Sequence, residues 1–384
     1  MTPPARAQAA IEILEQVIAS ARDDGPPADA LVSAYFKTRR YAGSKDRRAV
    51  RELVFRAIRH SADCPPSGRA ALLPLVPELF DGNGHGPAVP QEGEPRAVVG
   101  VVPSWLRAEL SPLVGEEEWP ALTERAPLDL RVNIARTTRD SMAAHFGAEP
   151  TPLSPWGLRL SADSAVTTDE AFADGLVEVQ DEGSQLIALA CAPAAGQLVV
   201  DLCAGAGGKA LALAAAAPQG RIIACDTSRQ RLSKLPARAA RAGASIEVRL
   251  LDSPREAEGL AALVGQADCV LVDAPCSGSG TWRRNPEGRW RLTPERLDRV
   301  IALQARVLDL AAPLVKPGGT LVYAVCSLLS REGAYQAAAF LSRHSAFVGE
   351  EPDMVQGRCD ANGWLLTPGH NRTDGFFIAR FRAR

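Results

Sequence analysis

From about residue 180 onward, the sequence alternates short apolar runs with Ala-rich or charged segments of helical composition. Runs rich in β-branched residues lie at 198–202, 221–225, 246–251, 269–272 and 320–325. Such runs, separated by helices, are typical of strands buried on both faces of a parallel sheet. We therefore predict an α/β fold with a doubly wound, mostly parallel sheet and right-handed crossovers. A last apolar run at 375–381 predicts an edge strand.

Two cysteines stand where the fourth and fifth of these strands should end. Cys276 lies in the segment Asp273-Ala-Pro-Cys-Ser-Gly-Ser-Gly, and Cys326 lies in Tyr-Ala-Val-Cys-Ser. Open α/β sheets bind their ligands at this edge, and the ends of the two strands meet there if the strands are neighbours in the sheet. Buried cysteines are ordinarily inert, but these two follow their strands amid Pro, Ser and Gly. We expect Asp273, Cys276 and Cys326 to converge.

A glycine-rich loop follows the first strand and opens an Ala-rich helix. Its sequence is Asp201-Leu-Cys-Ala-Gly-Ala-Gly-Gly-Lys209. Glycines let the backbone approach a ligand closely, and the start of a helix offers free N–H groups. The glycines do not follow the dinucleotide pattern GxGxxG, which favours an adenosyl ligand without phosphates. A tight turn that binds nothing is the alternative.

Asp226 and Asp252 end the second and third predicted strands. A carboxylate at the first of these positions can accept hydrogen bonds from both ribose hydroxyls, and one at the second can reach an adenine amino group. Taken singly, each acid fits a helix cap at least as well. Together with Asp201, behind a glycine-rich loop, they favour S-adenosylmethionine.

This set of residues suits methylation of a pyrimidine ring carbon. Cytosine C5 is a weak nucleophile, so a thiolate first adds to C6 and turns the ring into an enamine that can take a methyl group. A carboxylic acid near N3 assists as charge develops there. Methylation of an adenine amino group needs no thiol and commonly shows an aromatic residue after Pro-Pro, where this chain has Cys276 after Ala-Pro. The amino-methylating class is therefore disfavoured.

Composition argues against several other classes. Hydrophobic residues make up 46% of the chain and charged residues 23%, and no apolar run approaches the roughly 20 residues that span a bilayer. Glu12 and Glu15 interrupt the apolar pattern of residues 1–16, which does not fit a signal peptide, so we expect a cytoplasmic protein. The eight cysteines show no CxxC spacing and the five histidines lie far apart, so we expect no metal site. We also expect a monomer.

Charge is unevenly distributed along the chain. The net charge of −2 argues against a uniformly basic nucleic-acid binder, but basic residues cluster at 37–59 and at 281–306. Local basic patches can follow phosphates even when the total is near neutral. A solvated helix face is the alternative for each stretch. The second stretch comes just after the Cys276 segment and is a candidate for holding phosphates beside the reacting base.

The N-terminal half follows a different pattern. Residues 9–60 have helical spacing, 61–100 turn to Pro and Gly and predict loop with a short helix, and 105–113 predict a further helix. Strand-like pieces follow, of which 128–133 and 157–160 are the clearest.

Taken together, these motifs resemble the Sun-type RNA (cytosine-5)-methyltransferase family over nearly the whole chain. The resemblance rests on an entry segment at 179–185, the cofactor loop at 203–209, a fourth motif at 273–280, a sixth motif at 316–319 with 323–327, an RNA-contacting segment at 128–133, and residues 9–60, which look like a shortened NusB-like module. Val325 and Gly333 depart from the family, which usually has Thr and Asn at these positions. Neither departure removes a reacting atom.

The resemblance implies a fold, roles for matching residues and a substrate. It implies an N-terminal α-helical NusB-like module with a loop at 1–90, a linker helix and a small α+β RNA-binding subdomain at 91–179, and a Rossmann-like class I methyltransferase domain at 180–384. Cys326 would be the nucleophile, Cys276 would assist release of the methylated base, and Asp273 would contact the ring and the cofactor. S-adenosylmethionine would be held by Cys203, Ala204, Gly205, Ala206, Gly207, Gly208, Lys209, Asp226 and Asp252, with Asp273. Small-subunit ribosomal RNA is the expected substrate.

Three alternatives remain open from the sequence. The same chemistry could act on transfer RNA, and the N-terminal module does not decide between the two. A DNA cytosine methyltransferase would place its nucleophile in a Pro-Cys segment like that of Cys276. A non-catalytic RNA-binding assembly factor that retains a cofactor pocket is the third.

Overall fold

The computed structural model describes residues 1–23, 25–351 and 356–384. Its helices are α1 (Pro3–Arg22), α2 (Ala28–Lys37), α3 (Ser44–His60), α4 (Gly68–Leu72), α5 (Arg139–Phe146), α6 (Glu170–Ala173), α7 (Glu182–Ala190), α8 (Gly208–Ala216), α9 (Arg229–Leu232), α10 (Leu235–Ala242), α11 (Glu256–Leu260), α12 (Gly288–Arg291), α13 (Pro294–Ala311), α14 (Ala334–Arg343) and α15 (Pro368–Asn371). Short 3₁₀ helices lie at Pro77–Leu79, Ser104–Glu109, Glu116–Leu122, Val166–Thr168, Ala261–Leu263, Ser279–Thr281 and Ala312–Leu314.

The strands are β1 (Leu128–Val132), β2 (Glu149–Pro150), β3 (Gly157–Leu160), β4 (Val177–Val179), β5 (Leu198–Asp201), β6 (Arg221–Asp226), β7 (Ile246–Leu250), β8 (Ala267–Asp273), β9 (Val315–Val325), β10 (Phe347–Glu350), β11 (Arg358–Cys359), β12 (Trp364–Leu366) and β13 (Phe376–Ala383). The chain divides into two compact units. Unit 1 comprises Met1–Leu110, Gly115–Glu124 and Thr281–Arg296, and unit 2 comprises Ser111–Val114, Arg125–Gly280 and Leu297–Arg384. The three-part division predicted from the sequence stays a prediction.

Unit 1 is mainly helical. Thr2 caps α1 by accepting a hydrogen bond from the Ala5 amide, and two prolines follow it where a missing N–H costs nothing. The apolar face of α1, including Ile13 and Leu14, is buried against α2, α3 and α4. The helix predicted at 105–113 is instead a 3₁₀ helix of six residues, Ser104–Glu109.

Unit 2 contains a sheet with the strand order β11-β12-β13-β9-β8-β5-β6-β7, with β10 pairing β13. The pairs from β9 through β8, β5 and β6 to β7 are parallel, which confirms the predicted α/β sheet. Strand β13 pairs antiparallel with β9 on one side and with β12 and β10 on the other. The prediction of an edge strand there was wrong, because β13 is hydrogen-bonded to other strands on both of its sides.

A second, antiparallel sheet in unit 2 has the order β2-β3-β1-β4. Its strands β1 and β3 coincide with the clearest strand predictions, 128–133 and 157–160, and its buried side chains form a separate small core. In the described part of the chain, no helix has both the length and the apolar character that crossing a membrane requires.

Candidate active site

The two cysteines meet at the carboxyl ends of β8 and β9. These strands are parallel neighbours with Asp273 opposite Ala324, so the segments that leave them run side by side. The sulfur atoms of Cys276 and Cys326 lie 3.2 Å apart. The hydrogen bond with Cys326, burial and nearby negative charge raise the pKa of the Cys276 thiol well above its usual range. Cys276 is therefore protonated at neutral pH and can donate its S–H to the Cys326 sulfur.

Asp273 is ion-paired with Lys209 beside the cysteines. The Lys209 Nζ donates to an Asp273 carboxylate oxygen at 2.7 Å, and both side chains are largely buried. Burial lowers the pKa of Lys209, but the negative groups around it, Asp273 foremost, together outweigh burial and raise the pKa above its ordinary value. Lys209 therefore stays charged and holds the Asp273 carboxylate in place at the end of β8.

The glycine-rich loop joins β5 to α8. Gly205 and Gly207 have positive φ angles, and Gly207 caps α8. A Cβ at Gly207 would lie 2.2 Å from a methyl carbon of Leu235, so both conformation and space require glycine there. The Gly205 amide donates to the Asp226 carboxylate at 2.7 Å, which ties the loop to the end of β6.

Asp226 and Asp252 differ in their surroundings. Asp226 is buried, and besides Gly205 it accepts a hydrogen bond from the Ser228 amide at 2.7 Å and pairs with Arg231. Asp252 lies two residues beyond the end of β7 and is exposed, and its carboxylate pairs with Arg255. The structure joins Asp226 to the loop, whereas the partner it shows for Asp252 is a neighbouring side chain on the surface.

Asp201 is the most unusual carboxylate in this region. Only 1% of its surface is exposed, and neither carboxylate oxygen has a hydrogen-bond partner of ordinary geometry among the described residues. Burial raises the pKa of Asp201 to about 7, helped by the carboxylates of Asp273 and Asp226 and opposed by Lys209 and the Cys203 amide. A buried acid without partners is stabilised by a cationic or hydrogen-bonding ligand.

Two arginines that the sequence analysis did not select hold the loop from outside. Arg131, on β1, donates to the carbonyl oxygen of Gly208 at 2.7 Å and to the Gln180 side chain at 2.9 Å. Arg238, on α10, donates to the carbonyl oxygen of Ala206 at 2.6 Å. Burial lowers the pKa of Arg131 to about 10, so it remains charged at neutral pH. The sequence analysis placed Arg131 within the RNA-contacting segment 128–133 and not beside the loop, because its loop partner lies 77 residues further along the chain.

Much of the basic stretch at 281–306 serves the protein itself. In unit 1, Arg289 is 1% exposed and donates to the carbonyl oxygens of Ile58 and Val101. Arg291 and Arg296 donate to backbone carbonyls at the end of α1 and just after it. In unit 2, Arg306 pairs with a buried glutamate. Arg289 is too deeply buried to hold an RNA phosphate, and the expectation that the rest of this stretch does so stays a prediction.

No group of three or more His, Cys, Asp or Glu side chains among residues 1–23, 25–351 and 356–384 is arranged to hold a metal ion. The arrangement that does exist is a pair of thiols, an ion-paired carboxylate and a glycine-rich loop with the buried acid Asp201 behind it. Such a set can support nucleophilic attack by sulfur beside a bound cationic ligand.

Comparison with known proteins identifies relatives of this chain. The family model described as "16S rRNA methyltransferase RsmB/F" matches residues 188–382, slightly over half of the chain. The ribosomal RNA small subunit methyltransferase B of Salmonella arizonae is 36% identical over 289 residues, which cover 72% of this chain and 65% of the relative. The chain thus spans less than two thirds of the length of the curated relatives it matches.

Two solved structures are similar in fold. The crystal structure of PH0851 has a TM-score of 0.78 at 22% identity and covers 99% of each chain. A methyltransferase homologue from Pyrococcus horikoshii has a TM-score of 0.62 at 25% identity and covers 72% of this chain and 92% of its own. These likenesses confirm the predicted fold class, and the family match confirms the resemblance seen in the sequence.

Proposed function

Since the chain belongs to the RsmB/F family of 16S rRNA methyltransferases, we propose that it methylates C5 of a cytosine in small-subunit ribosomal RNA, with S-adenosylmethionine as methyl donor. The observation that carries this proposal is the pair of sulfur atoms 3.2 Å apart. The ion-paired carboxylate of Asp273 lies with these sulfur atoms at the edge of the sheet where α/β proteins bind ligands. Amino-group methylation has no use for two adjacent thiols.

The loop residues suit S-adenosylmethionine. The ligand carries positive charge on its sulfonium and ammonium groups, and the carboxyl groups of Asp201, Asp226 and Asp273 interact electrostatically beside the loop. Gly205 and Gly207 leave room for close backbone approach. We assign the cofactor to residues 203–209, Asp226 and Asp273, and retain Asp252 for the adenine on the resemblance alone. When bound, S-adenosylmethionine supplies an electrophilic methyl group.

The protein's own side chains supply the remaining chemistry. The Cys326 thiolate attacks C6 of cytosine, a new S–C6 bond forms, and the electron pair of the C5–C6 double bond moves so that C5 becomes nucleophilic. The resemblance assigns Asp273 to contact the ring, near N3, where charge develops. In the last step the C5 proton passes to solvent, the C5–H electron pair re-forms the C5–C6 double bond, and the S–C6 bond breaks to release the Cys326 thiolate. Cys276 is held as a thiol beside Cys326, so it can donate a hydrogen bond to the departing sulfur.

Cysteine substitutions test this assignment. Purified protein is incubated with radiolabelled S-adenosylmethionine and a small-subunit ribosomal RNA transcript, and the product is sequenced after bisulfite treatment. We expect Cys326→Ala to abolish transfer and Cys276→Ala to accumulate an RNA adduct that survives denaturation. Cys359→Ala is the control, because Cys359 is an exposed thiol. An adduct formed by Cys326→Ala but not by Cys276→Ala would favour the DNA-type assignment instead.

Parallel reactions decide the substrate. Transfer RNA and assembled small ribosomal subunits are offered under the same conditions as the transcript. Methylation of transfer RNA alone would move the proposal to that substrate. RNA binding without methylation of any substrate would favour an assembly factor. Cytoplasmic location and a monomeric state stay predictions.

A further inference from the structure

The residues that follow the two cysteines are both held by one carboxylate. Ser277 comes directly after Cys276, and Ser327 comes directly after Cys326. Glu332 accepts a hydrogen bond from the Ser277 amide at 2.8 Å and from the hydroxyl groups of Ser277 and Ser327. A single side chain thus connects the two segments on which the thiols stand.

Glu332 is itself firmly held. It is 0% exposed, and the amide group of Gln304, on α13, donates to its carboxylate at 2.9 Å. The same amide group donates to the carbonyl oxygen of Pro275 at 2.9 Å, one residue before Cys276. The Tyr323 hydroxyl donates to the Glu332 carbonyl oxygen at 2.7 Å. A buried carboxylate is costly unless it is hydrogen-bonded, so this environment allows Glu332 few positions.

Ser279 adds a second connection between the segments. Its hydroxyl group lies 3.0 Å from the Ser327 hydroxyl and accepts a hydrogen bond from the Leu328 amide at 2.9 Å. The Gly280 amide donates to the carbonyl oxygen of Cys326 at 3.0 Å. These bonds join the same two segments, but Glu332 is the only one of these groups that carries a charge.

We propose that Glu332 is a positioning residue that fixes the segments after β8 and β9 relative to each other, so that the sulfur atoms of Cys276 and Cys326 both lie beside the same cytosine ring. The proposal rests on the cysteine chemistry proposed above, in which Cys326 attacks and Cys276 assists release. A displacement of about 1 Å in such a pair can cost about a hundredfold in rate. The charge of Glu332 also contributes to the raised pKa of Cys276, after the hydrogen bond with Cys326 and burial.

The test measures thiol proximity and kinetics separately. Dibromobimane becomes strongly fluorescent when both of its ends alkylate neighbouring thiols, and this signal needs neither RNA nor cofactor. The variants are Glu332→Ala and Glu332→Gln, with Cys326→Ser as the blank. Glu256→Ala is the matched control, because Glu256 is also a buried carboxylate but pairs with Arg306 on α13.

We expect Glu332→Ala to lower the bimane signal at least fivefold and kcat about a hundredfold, with KM for RNA and for S-adenosylmethionine changed less than about twofold. Glu332→Gln should recover most of the bimane signal, because serine hydroxyls can turn to accept from an amide. Glu256→Ala should lose stability but keep the signal. If Glu332→Ala does not fold, Ser327→Ala replaces it in the test, and we expect both the bimane signal and kcat to fall in that variant as well.

An unchanged bimane signal and unchanged kcat in the folded Glu332→Ala variant would overturn the proposal. Equal losses in stability, signal and kcat for Glu332→Ala and Glu256→Ala would do so as well, because the role would then be structural only. If the wild-type protein transfers no methyl group but Glu332→Ala still loses the bimane signal, the positioning role stands and the proposed reaction fails.

Discussion

Replacing Asp201 by asparagine should remove a pH dependence from the stability of this protein. The folded carboxyl group has a pKa of about 7 because it is buried without hydrogen-bond partners of ordinary geometry among the described residues. In the unfolded chain an aspartate loses its proton near pH 4, at about 3.9. Folding therefore takes up a proton between about pH 4 and pH 7. The contribution that the neutral carboxyl group makes to the free energy of unfolding is complete below pH 4, and it is lost as the pH rises to 7.

The size of this effect follows from the shift. About three pKa units, at about 1.4 kcal/mol each, correspond to about 4 kcal/mol of unfolding free energy lost between pH 4 and pH 7. Solvent screening is small because Asp201 is 1% exposed. Asparagine is neutral throughout this range, but its buried amide donors lack partners, at a pH-independent cost of about 1–3 kcal/mol. The Asp201→Asn variant should therefore start at or below the wild type near pH 4 and overtake it as the pH rises.

Urea unfolding followed by circular dichroism between pH 4 and pH 8, without cofactor, measures the difference. Asp252→Asn is the matched control, because it removes an exposed carboxylate that pairs with Arg255 on the surface. The stability difference between wild type and Asp201→Asn should change by several kcal/mol across this range, and that between wild type and Asp252→Asn should stay nearly constant. Parallel stability curves for wild type and Asp201→Asn would refute the reasoning from burial.

Three further substitutions test contacts on which the fold and site depend. A Cβ at Gly280 would lie 2.0 Å from the carbonyl oxygen of Gly375, so Gly280→Ala should lower both the melting temperature and methyl transfer, and a fully active, equally stable variant would contradict the close approach. Arg289→Met should lower the free energy of unfolding in urea by about 2 kcal/mol or more, because it leaves buried carbonyls unpaired. Arg299→Met, at an exposed position, should lower it by less than about 0.5 kcal/mol. Similar losses for both variants would count against the buried contacts. Arg131→Met removes the hydrogen bonds that one guanidinium nitrogen donates to the Gly208 carbonyl oxygen of the loop and to Gln180, so calorimetry should show S-adenosylhomocysteine binding about tenfold weaker, and an unchanged Kd would place Arg131 outside the cofactor site.

Local pattern was sufficient for the elements of the parallel sheet. Strands buried on both faces must be apolar throughout, and parallel strands need helices between them, so the alternation from β5 to β9 predicted the parallel α/β sheet. Strand β13 lies inside the sheet because β10 and β12 pair with it on the side away from β9, and the sequence analysis did not predict those two strands. The 3₁₀ helix at Ser104–Glu109 was missed because periodicity does not distinguish one short helical turn from a longer helix.

Charge along the sequence did not reveal what each arginine contacts. Arg289 and Arg299 look alike in the sequence, yet the first is buried against backbone carbonyls and the second is exposed. Arg289 is buried because hydrogen-bond partners of its guanidinium group come from positions more than a hundred residues away in the sequence. A basic stretch predicts phosphate binding only when its side chains are free of such partners.

The sequence by itself determined the sheet, the positions of both cysteines at strand ends and the glycine-rich loop, because each depends on the residue types within one short segment. Only the tertiary structure decided that the two sulfur atoms lie 3.2 Å apart, that Asp201 is buried without a hydrogen-bond partner of ordinary geometry among the described residues, and that Glu332 links the serines after both cysteines. Burial and hydrogen bonding depend on residues brought together from distant parts of the chain. A pKa or a sulfur–sulfur distance is a property of that packing and of no single segment.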